Sequence, residues 1–130
     1  MPELQFAPGV LERLQATGRG QFDERAYLFV LAAIEFLQQK LDARRHVSGQ
    51  ELSWACRDLA LQRFGVMART VLDCWGVRTT ADFGAIVYSL IDIGLLSSQP
   101  SDTEADFDGV FDFEAALDRS HQFGIPRTLQ

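Results

Sequence analysis

The stretch RTTADFGAIVYSLIDIG, residues 78–94, decides how the chain is read. Thr79 followed three residues later by Asp82 is a box-like helix start. Phe83, Ile86, Val87, Leu90 and Ile91 recur at helical spacing, and Gly94 fits a left-handed stop. The spacing predicts a helix over 80–93. Upstream, RHVSGQELSWACRDLALQRFG (45–65) repeats the logic. Ser48 and Glu51 form a capping box, Leu52, Cys56, Leu59 and Ala60 make an inner stripe, and Gly65 ends the helix. MARTVLDCWG (67–76) reads as a shorter helix with Met67, Val71, Leu72 and Trp75 inward and Gly76 as its stop.

Downstream of Gly94 the period changes. LLSSQP is short enough for a strand, SDTEADFDG is a polar turn, and Phe111 and Phe113 alternate around Asp112 as a second strand does. The order helix, short helix, helix, strand, loop, strand predicts a mainly α domain with a small C-terminal β-hairpin. That string is winged-helix-like, with helix 80–93 in the recognition position and loop 97–108 as the wing. DERAYLFVLAAIEFLQQKL (23–41), capped by Asp23 and apolar on most sides, supplies an N-terminal helical extension across the back. A short helix fits between Pro8 and Gly18. We expect a single domain over 1–118 and a loose tail over 119–130.

Charge is segregated along the chain. Residues 40–78 carry a local +3, whereas residues 79–118 carry nine acids and no Lys or Arg, within a net charge of −6. This bears on partners rather than on fold. A DNA reader presents Arg, Lys, Asn or Gln to base edges. Residues 80–94 have none of the four and include Asp82 and Asp92, while the expected wing adds Asp102, Glu104, Asp106 and Asp108. Carboxylates beside phosphates oppose the counterion-release term, so DNA is disfavoured. Arg44, Arg45, Arg57, Arg63 and Arg69 leave open an arginine face for RNA or an acidic protein.

Glu104, Asp106, Asp108, Gly109, Val110 and Asp112 fall at positions 1, 3, 5, 6, 7 and 9 of a calcium loop, and Phe111 falls at 8. Position 1 should be Asp, and position 12 is Ala115 where a bidentate Glu belongs, so the reading is an acidic turn that protects an edge strand. His46, Cys56, Cys74 and His121 lack any paired zinc spacing. No glycine-rich phosphate loop and no nucleophile elbow is present, and no acid, base and nucleophile set converges in the sequence. No catalytic residue, metal or cofactor is therefore assigned. Two cysteines without a disulfide framework, no basic-then-apolar leader and no window near the roughly 20 apolar residues of a bilayer span lead us to expect a cytoplasmic chain without membrane attachment.

AYLFVLAAIEF (26–36), RHVSGQEL (45–52), FGVMARTVLDCWGVRTTADFGAIVYSLIDIGLL (64–96) and DFDGVFDFEAAL (106–117) together resemble a family of small proteins found chiefly in planctomycetes and verrucomicrobia. No activity, cofactor or catalytic residue is assigned to that family, so the resemblance implies no site. The function expected from the residues is a non-catalytic protein-interaction or adaptor module. Its contact surfaces are the acidic wing, Asp106, Phe107 and Asp108, and the arginine face, Arg44, Arg45 and Arg57. Phe107, lodged between two acids, is the anchor if it is exposed. The two faces could also bind each other between copies as a weak, salt-sensitive homo-oligomer. The alternative is a nucleic-acid-binding regulator using the arginine face.

Overall fold

A computed structural model describes residues 6–119. Five α-helices form the described part: α1 Val10–Gln15, α2 Glu24–Gln38, α3 Gly49–Phe64, α4 Ala68–Cys74 and α5 Thr80–Asp92. Helix α2 lies against both α3 and α5. The mainly helical class is as the periodicity indicates.

Local chemistry sets the boundaries. The Asp23 carboxylate accepts from Arg25 N–H at 2.9 Å and opens α2. Ser48 and Glu51 exchange both capping bonds at the start of α3, at 3.1 and 2.9 Å. At α5 the reciprocal half of the box is formed by Asp82, whose carboxylate accepts from Thr79 N–H at 3.1 Å and from Arg78 N–H at 2.8 Å. Gly76 and Gly94 end α4 and α5 with φ of 91° and 86°, where a side chain would be strained.

The core is built from Tyr27, Val30 and Ala33 of α2, the predicted α3 stripe, Leu72 of α4, and Phe83, Ile86 and Leu90 of α5, all buried. Met67, expected inward, is instead half exposed. Gly65 turns residues 65–67 into a 3-10 turn, and Ala68 takes the inward position. Phe29, Phe64 and Trp75 meet in a three-ring cluster with centroids 5.7–6.2 Å apart.

The expected C-terminal β-hairpin is absent among the described residues, and with it the wing as a pair of strands. Residues 97–113 form an irregular strap with one 3-10 turn, Glu104–Phe107, followed by a π-helical turn, Glu114–Arg119. The apparent alternation of Phe111 and Phe113 has another cause. Phe111 lies against Trp54 with centroids 4.6 Å apart, and Phe113 against Phe83 at 5.6 Å. The two rings also stack on each other with centroids 5.8 Å apart, and these contacts on α3 and α5 satisfy both without a partner strand. Of the expected tail, residues 120–130 lie outside the described residues.

Candidate functional site

Phe107 is the residue that places the acidic strap. It is 4% exposed, so it belongs to the core and is unavailable as the contact anchor considered above. Its ring occupies a notch made by two helix glycines. A Cβ on Gly49 of α3 would meet the ring at 3.0 Å, and one on Gly84 of α5 would meet Phe107 Cβ at 2.9 Å and its ring at 3.0 Å. Burying a phenylalanine contributes about 1.5–3 kcal/mol, which offsets the ~1 kcal/mol that a mid-helix glycine costs relative to alanine.

Polar bonds fasten the strap on both sides of this plug. Asp102 accepts from His46 Nε2 at 2.9 Å and from Gln99 N–H at 2.7 Å. Arg19, in the turn between α1 and α2, donates to Asp92 at 2.7 Å and pairs with Glu104. The same guanidinium lies 5.4 Å from the centre of the Tyr88 ring. Its bond to Asp92 chiefly raises the Arg19 pKa, with the fields of Glu104 and Asp92 adding to it against partial burial. At the far end, Val110 N–H donates to the buried Thr80 hydroxyl at 3.1 Å.

Between the strap, the end of α2, the lead-in to α3 and the outer side of α5 lies a cleft of about 150 Å³. Its apolar lining includes Ile34, Leu52, Val87 and Ile91, and its polar lining includes His46, Tyr88, Asp102 and Asp106. Desolvation raises the Tyr88 phenol pKa, and the fields of Asp102, Asp106 and Glu104 raise it further, with Arg19 opposing. The volume falls below the ~300 Å³ at which small-molecule sites usually begin. One long side chain fits the space better than a cofactor does.

The residues named from the sequence divide three ways. Asp106 and Arg45 both line the cleft. Asp108 stays exposed on the strap beside a shallower hollow formed with Thr79, Thr80 and Ala81. Arg44 and Arg57 do not reach the cleft lining and are engaged locally. Arg44 pairs with Glu35 at 2.9 Å. Arg57 pairs with Asp58 at 2.8 Å and lies 5.0 Å from the Trp54 ring centre. Arg45 is itself turned toward Glu51 at 2.7 Å, a bond that, with Ser48 N–H, holds the Glu51 carboxyl down to about 2. The three arginines thus meet carboxylates of the same chain rather than forming one open cationic face.

The calcium-loop carboxylates scatter. Glu104 goes to Arg19, Asp106 accepts from Thr103 N–H at 3.2 Å, and Asp112 accepts from Ala115 N–H at 3.0 Å. Among the described residues no three His, Cys, Asp or Glu side chains are gathered to hold a metal. Cys56 is buried and Cys74 exposed, each as a free thiol. His121 lies outside the described residues. No helix among the described residues is long and apolar enough to cross a membrane. Tyr88 goes unmarked in the sequence reading, and Asp102 appears there only as one of the wing carboxylates. The available signal for Tyr88 is its place as a polar-tipped ring within the apolar run AIVYSLI.

No family model, no curated protein and no solved structure matches the chain. Any role for the cleft therefore rests on its own geometry.

Proposed function

We propose that the protein is a non-catalytic interaction module whose contact surface is the acidic strap and the cleft beside it. The observation that carries this reading is the fastening of the strap. A segment with carboxylates at 102, 104, 106, 108 and 112 is held by a buried ring and by bonds to three other parts of the chain. Such a surface enters a complex already ordered, so association loses little conformational entropy. Asp108, Gly109 and Asp112 remain exposed for contact. The winged-helix-like order of elements survives in this proposal only as the placement of α5 behind the strap.

A partner of opposite charge fits this surface best, because complementary potentials set both orientation and encounter rate. A different protein fits better than a second copy, since the arginines that a copy would offer are already paired with Glu35, Glu51 and Asp58. The same pairing weakens the case for a phosphate backbone, whose affinity depends on free cationic groups. The His46–Asp102 pair tethers two segments, and the nearby Ser48 hydroxyl accepts a helix-cap bond, so each has a structural role within the binding reading.

A peptide-display selection against the whole chain tests this. Enriched peptides should lose binding to the Asp106→Lys and Asp108→Lys variants and keep it with Arg44→Glu and Arg57→Glu. Peptides indifferent to the acidic changes, or tight capture of a nucleic-acid library instead, would contradict the reading.

A further inference from the structure

We infer that the cleft beside Tyr88 receives one lysine or arginine side chain of the partner protein, its methylenes on the apolar floor and its charge at Asp106. This deepens the interaction reading above and rests on it. Leu52, Val87 and Ile91 supply a floor against which an aliphatic stem can lie. Long cationic side chains bury such stems while keeping the charged head at a polar rim. Size agrees, since about 150 Å³ admits a side chain and little more.

Charge selects among side chains. The cleft lining contains two basic residues, and both are occupied: Arg45 by Glu51 at 2.7 Å and His46 by Asp102 at 2.9 Å. Among the described residues Asp106 makes one hydrogen bond, from Thr103 N–H at 3.2 Å. A carboxylate offers about four acceptor positions, so most of its capacity is open. An anionic guest would face Asp102 and Asp106 with no free cation to receive it. A neutral aliphatic guest would cover the floor and leave the rim carboxylate uncompensated. The Tyr88 phenol in the same lining is raised first by desolvation and then by the fields of Asp102, Asp106 and Glu104.

The test follows backbone amide shifts of the full-length ¹⁵N-labelled protein during titration with four probes. These are N-acetyl-lysine amide, N-acetyl-arginine amide, N-acetyl-glutamate amide and the uncharged N-acetyl-norleucine amide. Lysine or arginine should give saturable, millimolar shifts confined to residues 45–52, 87–91 and 96–107. Asp106→Asn, which keeps an acceptor for Thr103 N–H, should weaken that binding about 2–5-fold. Raising salt should weaken it in the wild-type protein, so the outcome does not depend on the variant alone. Equal response to norleucine or glutamate, no saturable response to either cation, or binding unmoved by both Asp106→Asn and salt would overturn the inference. Display-selected peptides that bind the strap without any basic residue would overturn it as well, while leaving the interaction reading in place.

Discussion

Replacing Gly84 by alanine asks a methyl group to enter space that Phe107 already fills. The added Cβ would lie 2.9 Å from Phe107 Cβ and 3.0 Å from two ring carbons. Favourable carbon–carbon contact begins near 3.5 Å, so the strap or α5 must move by roughly half an ångström. Alanine gains about 1 kcal/mol over glycine in a helix interior, and overpacking a tight site costs about 1–3 kcal/mol. The net result is a loss of about 0–2 kcal/mol. Phe107→Ala alone should cost about 3–5 kcal/mol, a large share of the ~5–15 kcal/mol that a domain has. In that background the ring is gone and, although a Cβ remains at 107, the strap is no longer held by the plug and can lift away from Gly84. Gly84→Ala should then stabilise by up to about 1 kcal/mol. Urea unfolding of the four proteins, followed by far-ultraviolet circular dichroism, gives the coupling directly. If Gly84→Ala stabilises the wild-type protein by the full helix-propensity gain, and the two changes add, then Phe107 does not occupy the notch.

Other consequences follow from the bonds around the strap. The Glu51 carboxyl is held below its ordinary value near 4.5, at about 2. A depressed folded pKa stabilises above the unfolded value and loses that contribution as pH falls toward the folded one. Glu51→Gln, which retains the capping acceptor, should therefore lower Tm by about 2 °C at pH 7, and the gap should close between pH ~4.5 and ~2 in thermal melts. Burial pushes the Cys56 thiol up, whereas Cys74 is exposed. A disulfide exchange reagent should thus modify one thiol of the native protein at pH 8 and the second only on unfolding. Arg19→Ala removes the tie from the α1–α2 turn to Asp92 and Glu104. Amide exchange should quicken around residues 102–107 by about 3–10-fold, with the interior of α3 unchanged.

How much of this is legible in the sequence follows from the range of each interaction. Asp23, Ser48 with Glu51, Asp82, Gly65, Gly76 and Gly94 mark helix ends through neighbours one to four residues away, and each acts where its chemistry says. The stripe Leu52, Cys56, Leu59 and Ala60 is equally local and lies buried. The strap is otherwise. Phe107 depends on Gly49 and Gly84, both far upstream of it in the chain, and nothing near Phe107 announces them. The signal lies in Gly84 alone: a glycine inside an otherwise apolar helix marks a close approach by some other part of the chain, whereas Gly49 opens its helix among polar residues. In the sequence alone, two aromatic residues spaced by two fit one face of a strand. Phe111 and Phe113 do stack on each other, but against α3 and α5 rather than beside a partner strand, and period two over three residues cannot tell these cases apart.

The cleft was visible in pieces only. In the sequence Asp106 and Arg45 belong to two oppositely charged surfaces, yet both line the same cleft. His46 enters the sequence reading only as a possible zinc ligand without a paired spacing. Its bond to Asp102 spans 56 positions of sequence, beyond any local pattern. The arginine face illustrates the converse. Charge counting finds the cations but not their partners, and Glu35, Glu51 and Asp58 neutralise three of them in place.

The seating of the acidic segment is read most directly from proton–proton contacts in solution. A NOESY spectrum of the labelled protein should show the Phe107 ring protons against the Hα protons of both Gly49 and Gly84. Absence of those contacts, with cross-strand Hα–Hα contacts pairing residues 95–98 with 110–113 instead, would restore the hairpin and remove the strap.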